Sequence, residues 1–200
     1  LAFGGDAPDS PGANHAIGLD WGEESFMIQV SVRDGVVWVD KAEFWIGHLD
    51  TVIIERVSSL EKAISAHVLA DSSHPFQNDT LSKLCEDFRP VVFGKEKAMG
   101  VGYVKHLFEK RLLRIPDISP GHRRLYNQLR NYMKDEATGK PVKKDDHGPD
   151  ALMCACLHLM EEGLSQEVVK EQNESPPGTL WYKGMLIHNP ADDEDAEDEA

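Results

Sequence analysis

Hydrophobic and polar positions follow two rhythms along this chain, and the switch between them is the first clue to its fold. Residues 15–22 (HAIGLDWG) form a short apolar run, and residues 25–33 (SFMIQVSVR) alternate with a period of two. Asp34-Gly35 follows at once, a dipeptide suited to a tight β-hairpin because both residues tolerate positive φ. Residues 36–45 read as the partner strand. The rhythm then lengthens: Ile53, Val57, Leu60 and Ile64 recur at helical spacing, with Asp50 or Thr51 as the cap. Residues 67–70 (HVLA) predict a buried strand running into Asp71.

A second helix is expected over 79–88, and another buried strand over 90–93 (PVVF). Helices at about 101–112 and 121–133 follow, with a short strand at 113–115 between them. Residues 134–144 (KDEATGKPVKK) predict a hairpin turning at Thr138-Gly139. Pro149 marks the start of a closing helix with Gly148 in the cap position, since proline is tolerated in a first helical turn. Hairpin strands first, then alternating helix and strand, then a closing helix: this order predicts an α/β domain. Its sheet mixes antiparallel and parallel strands, with helices on both faces.

The ends read differently. Residues 1–14, rich in Gly, Pro, Asp and Ser, have the composition of a flexible linker. Residues 191–200 are acidic and lack apolar area to bury, so a disordered tail is expected there. The main domain is placed at 15–172, with a C-terminal extension over 173–190. Leu1 in place of an initiating Met suggests an excised piece or a processed product.

At 200 residues the chain is long enough to bury a core, and 40% hydrophobic against 28% charged is an ordinary soluble balance. No apolar run approaches the roughly 18 residues of a membrane span, and no basic-then-apolar leader opens the sequence. Cys85, Cys154 and Cys156 make neither a disulfide framework nor a CxxC pair, which points to a reducing compartment. Membrane, disulfide-scaffold and zinc-finger classes are excluded. The net charge of −14 owes half its size to seven acids in the last ten residues. Residues 103–144, by contrast, hold eleven Lys or Arg against four acids. A concentrated basic segment can meet a polyanion despite an acidic total, because local potential governs encounter. A solvated helix face accounts for it equally well.

Acids stand in three awkward places. Asp20 interrupts the first strand, Asp71 ends the apolar run at 68–70, and Asp145, Asp146, His147 and Asp150 surround the start of the closing helix. Aspartate is depleted in strands, and an ionised carboxylate near a core is costly without compensation. If the two strands are parallel neighbours, Asp20 and Asp71 lie side by side and repel by roughly 4 kcal/mol at an effective dielectric near 20. A cation relieves that repulsion. Carboxylate oxygens suit Mg²⁺ or Mn²⁺ rather than zinc, and a pair of such ions is the usual device for displacement at a phosphodiester. Each acid also has a plain structural reading: Asp71 as a turn residue, Asp145 as a hairpin end, Asp150 as a partner of the helix dipole. His147 can equally well bond a carbonyl. His67, His74, His122, His158, the cysteines and the four tryptophans are assigned structural roles.

The ordered combination is more specific than its members. GLDWG, VLADSS, and a hairpin followed by KKDDHGPDAL resemble the nuclease domain of the large terminase subunit of tailed bacteriophages, which is similar to RuvC-type resolvases and has the RNase H-like fold. The resemblance spans about residues 17–162, and NYMKDEATGKPVKKDDHGPDAL is its most specific stretch. It implies that Asp20 is the first-strand ligand bridging two metals and Asp71 the second-motif ligand. In the last motif it implies Asp146 and Asp150, followed by His147 and then Asp145; some relatives carry aspartate where this chain has His147. No GxxxxGK[ST] loop occurs, and residues 93–96 (FGKE) are not one. The chain therefore resembles the nuclease half of a packaging motor, the alternative being a naturally short protein.

The resulting expectation is an endonuclease that uses two Mg²⁺ or Mn²⁺ ions to cut double-stranded DNA with little sequence preference during viral genome packaging. Arg123, Arg124, Arg130, Lys134, Lys140, Lys143 and Lys144 are the expected phosphate contacts. The resemblance implies the packaging ATPase domain, the portal and the small terminase subunit as partners, the host cytoplasm as the location, and no membrane. The alternatives are a structure-selective resolvase of the same fold and a non-catalytic docking module for the motor.

Overall fold

A computed structural model describes residues 14–132, 146–164, 179–182 and 185–188. Among these residues six strands make one sheet, in the order β5-β4-β1-β2-β3-β6. Strands β1 (His15–Asp20), β2 (Glu24–Arg33) and β3 (Val36–Ile46) form an antiparallel meander. The turn between β2 and β3 is Asp34-Gly35, with φ of 50° and 73°, as the dipeptide predicts. Beside β1 lies β4 (His67–Asp71), parallel to it, and β5 (Phe88–Val91) is parallel to β4. The short β6 (Leu113–Arg114) closes the other edge, parallel to β3.

Helices cover both faces because β1 and β2 are apolar on both sides, every residue of β1 being buried. Ile17, Leu19 and Met27 pack against Ile53, Val57 and Leu60 of α1 (Asp50–Ile64) and Leu81 of α2 (Pro75–Leu84). Ala16, Phe26 and Ile28 face the opposite way. They meet α3 (Phe93–Glu109), α4 (Pro120–Asn131) and α5 (His147–Leu159) through Tyr103, Leu125 and Leu152. Helix α5 runs on into a wider π-turn at Met160–Leu164. Two further strands, β7 (Thr179–Tyr182) and β8 (Met185–His188), pair antiparallel with each other.

Several boundaries differ from the sequence expectation. Helix α1 begins at Asp50 itself, with Leu49 in the cap position and no side-chain cap, so neither Asp50 nor Thr51 caps it. Helix α2 starts at Pro75 rather than 79 and is over before 88, because proline pre-sets the first-turn geometry. Phe88 belongs to β5, and Phe93 already lies in α3, which starts eight residues ahead of the expected 101. Helix α5 starts at His147, putting Gly148 and Pro149 inside its first turn. The expected linker, the 134–144 hairpin and the acidic tail lie outside the described residues. Among the described residues no helix is long and apolar enough to cross a membrane.

Candidate active site

The site forms where β1 and β4 end side by side. Leu19 pairs with Ala70, so Asp20 and Asp71 occupy the next positions of the parallel pair. Side chains alternate along a strand. Gly18 touches α5, and Leu69 packs on Cys154 and Leu157 of α5, so Asp20 and Asp71, two residues on, share that face. A hydrogen-bonded chain ties the two strand ends together: Trp21 Nε1 donates to Asn78 Oδ1 (3.1 Å), and Asn78 Nδ2 donates to the Asp71 carbonyl (2.8 Å).

The first turn of α5 delivers the remaining groups. His147 Nδ1 lies 2.7 Å from Asp20 Oδ2, and Asp150, one turn later, presents Oδ2 to Lys97 Nζ of α3 at 2.6 Å. Asp146 sits at the helix cap, where its carbonyl accepts the Asp150 N–H at 2.8 Å. Helix α4 fixes this turn in place: the buried Gly148 N–H donates to Gln128 Oε1 at 2.8 Å, while Gln128 Nε2 reaches Glu24 at 3.3 Å. Asp71 accepts from the Ser73 N–H (3.3 Å) and hydroxyl.

Charge in this pocket is held against desolvation. Burial raises Asp20 above the ordinary carboxylate range, against the pull of His147, and the charges of Asp71 and Asp146 add to the rise. Burial likewise pushes Asp150 up to about 7, although Lys97 works to lower it. His147 rises above the usual histidine value, chiefly through its bond to Asp20. These three shifts have one sign for stability. Each group binds its proton more tightly folded than unfolded, so each contribution is present at low pH and lost as pH rises through the folded value. Buried His122 and His158, both lowered by desolvation, act in the opposite sense below the ordinary histidine pKa. Comparison with Asp150→Asn isolates one term. In EDTA the variant's Tm advantage over the wild type should grow as pH rises from about 4 to about 7 and level off above that, reaching on the order of 5–10 °C at pH 8. A difference independent of pH, followed by circular dichroism, would contradict this.

Among the described residues no three His, Cys, Asp or Glu side chains stand close enough together to chelate an ion as placed. Protein-borne partners hold the oxygens instead: His147 on Asp20, Lys97 on Asp150, Ser73 on Asp71. The donor set nevertheless fits a hard divalent cation. It is rich in carboxylate oxygen, its acids act electrostatically on one another, and the buried Asp150 Oδ1 has no hydrogen-bond partner among the described residues.

Of the expected phosphate contacts, Arg123 and Arg124 line an open groove with Phe44, Asn127, Gln128 and Asn131. Arg124 is engaged with Glu24 (Nε to Oε1, 2.6 Å) and stacks over Phe44, and Arg123 pairs with Asp117 at 3.0 Å. Arg130 lies over the Tyr126 ring. Lys134, Lys140, Lys143, Lys144 and Asp145 fall outside the described residues. His122 bonds the Val39 carbonyl and Ser119, while His67 and His158 stack on each other, matching their structural assignment. Sequence reasoning passed over Lys97, Gln128 and Glu24. Lys97 lay ahead of the expected helix, and nothing local distinguishes the other two.

A mixed sheet with a three-strand antiparallel meander, parallel strands beside it and a helix from the chain's far end across its centre is the RNase H-like fold. Within that class, the solved structures it matches include phage large terminases and their nuclease domains. The nuclease domain of P22 large terminase superposes with a TM-score of 0.63 at 15% identity, covering 79% of this chain and 86% of that one. The large terminase nuclease of thermophilic phage G20c gives 0.60 at 19% identity over 73% and 82%. Large terminase from the thermophilic bacteriophage D6E gives 0.64 at 18% identity, covering 76% of this chain. The chain spans about two fifths of that terminase, 41% of its length. A second structure of the G20c nuclease has bound cobalt. No family model and no curated protein sequence matches this chain.

Proposed function

We propose that this chain is a divalent-metal-dependent endonuclease that cuts double-stranded DNA with low sequence specificity in viral genome packaging. The observation that carries this reading is the convergence of Asp20, Asp71 and the first turn of α5 on one end of the sheet, in a fold shared with phage terminase nucleases. Asp20, Asp71, Asp146 and Asp150, with His147 and Asp145 beside them, would hold two Mg²⁺ or Mn²⁺ ions; the cobalt in the G20c nuclease supports a divalent site. Bound there, such ions would make an attacking water more acidic and offset charge on the leaving 3′ oxygen.

The chain's own residues have separate tasks. His147 keeps the Asp20 carboxylate aimed along the helix end, and Gln128 locks the turn that carries His147 and Asp150. Arg123, Arg124 and Arg130, with Lys134, Lys140, Lys143 and Lys144, would bind phosphates along the groove beside the acids. No side chain needs to act as nucleophile. The packaging ATPase, portal and small terminase subunit as partners, and the host cytoplasm as location, belong to the same proposal.

Incubation with supercoiled plasmid and Mn²⁺, with and without EDTA, tests the reading: nicking that EDTA abolishes is expected. No nicking in either condition would favour a docking module, and preferential cutting of four-way junctions a resolvase. For the DNA path, Arg123→Ala and Arg130→Ala should each weaken binding across all sequences and reduce the log–log salt slope by about 0.9. Unchanged slopes by fluorescence anisotropy would remove α4 from the path.

A further inference from the structure

We propose that Lys97 is the site's own cation: its ammonium takes the place at Asp150 that a divalent ion takes up, and it withdraws before one binds there. The inference rests on the metal-dependent reading above and goes beyond it, because it assigns a role to a residue outside the acidic motifs.

The pairing is tertiary. Lys97 on α3 and Asp150 on α5 are 53 residues apart, and their 2.6 Å contact brings an ammonium into a pocket where the Asp150 side chain is only 7% exposed. Removing both charges from water is costly, and a pair of this kind persists when each partner needs the other. Asp150 has that need: Asp20 and Asp146 both act on it as like charges. Lys97 thus neutralises one acid in a cluster that otherwise repels itself.

Three features make this a cation that can leave rather than a permanent brace. Lysine is a point charge on a flexible stem, whereas an arginine fork would engage both oxygens. Asp150 Oδ1 accordingly has no partner among the described residues, so the pair leaves one buried oxygen of the carboxylate unsatisfied. Lys97 is also 22% exposed, and its ammonium lies 5.0 Å from the centre of the Phe93 ring one turn back, so withdrawal returns it toward water along its own helix. At Asp20 the neighbouring group is the His147 ring, whose Nδ1 lies 2.7 Å from Oδ2. With one oxygen of each acid engaged in this way, no chelating cluster forms among the described residues.

The competition has a definite sign. With Lys97 present, a divalent ion must displace a positive charge; with an uncharged residue substituted at position 97, it meets unopposed carboxylates. Isothermal titration of the full chain with Mn²⁺ at pH 8, together with Tm in EDTA and in Mn²⁺, tests this without reference to cleavage. K97M should bind Mn²⁺ at least tenfold more tightly, show a lower Tm in EDTA, and gain more Tm from Mn²⁺ than the wild type does. K97Q, which keeps a donor for Asp150, should give the same gain in affinity and serves where K97M does not fold. K97R, whose fork can engage both Asp150 oxygens, should bind Mn²⁺ severalfold more weakly than the wild type. Wild-type Mn²⁺ binding with unchanged or weaker affinity in K97M or K97Q overturns the role of Lys97 alone. Absence of Mn²⁺ binding in every form, wild type included, overturns the metal-dependent reading and this inference with it.

Discussion

Asp20→Asn should leave no measurable cleavage in Mg²⁺ or Mn²⁺, a loss of about 10³-fold or more, while the protein remains folded. The two halves of this expectation have different physical origins. Activity falls because Asp20 stands at the end of the central strand, buried, with Asp71 next to it and α5 across from it. In the proposed function it is the central one of the acids that would hold the cations. Losing several kcal/mol of charge stabilisation in a water-poor site corresponds to three or more decades of rate. The fold survives because asparagine has the same shape and its carbonyl oxygen still accepts from His147 Nδ1. Folding even gains from the exchange in EDTA, since the buried carboxylate it replaces is held unfavourably by desolvation. The measurement is plasmid nicking beside a thermal melt. Full activity in a folded Asp20→Asn protein would remove Asp20 from the site and with it the geometry on which the function rests.

The second large effect concerns stability. Gly18→Ala should unfold the protein or cost more than about 4 kcal/mol, although it adds one methyl group. A Cβ at position 18 would lie 1.9 Å from the Ala151 carbonyl oxygen and 2.4 Å from the Ala155 nitrogen. Both are backbone atoms of α5, so no rotamer change clears them, and the whole helix must move off β1. That movement would also pull His147 away from Asp20. Domains of this kind have roughly 5–15 kcal/mol in hand, which such a shift largely consumes. Gly94→Ala is the control: among the described residues no atom beyond its own stretch of helix lies within 4 Å of its Cβ position, and in α3 alanine should stabilise by up to about 1 kcal/mol. Urea melts of the two variants should therefore move in opposite directions. A Gly18→Ala protein as stable as the wild type would mean that α5 does not press on β1 as closely as described.

These two variants show how much of the molecule was legible from residues alone. The core of β1, the β2–β3 hairpin at Asp34-Gly35, β4 and most of α4 follow from local signals: an apolar run, alternation, a turn dipeptide and helical spacing. The candidate acids also stood out, because an aspartate inside or ending a buried strand is out of place unless something compensates it, and the structure brings Asp20 and Asp71 to neighbouring strand ends. Less legible were the starts of α2, α3 and α5. Pro75 opens α2 earlier than its apolar spacing indicates, and Val92 and Phe93 look like a strand by composition but divide between a cap and a helix.

What the amino-acid order determined by itself was most of the elements of the six-stranded sheet and its helices, and the acidic candidates, since periodicity, turn geometry and charge are local properties; β7, β8 and Lys97 were not among them. Which of those residues meet was decided only in three dimensions. The pairing of Lys97 with Asp150, the bond from His147 to Asp20 across 127 residues, and the grip of Gln128 on Gly148 depend on where α3, α4 and α5 dock. Docking is set by the shapes of buried faces, such as the groove Gly18 leaves for α5, and that complementarity belongs to no single stretch of chain.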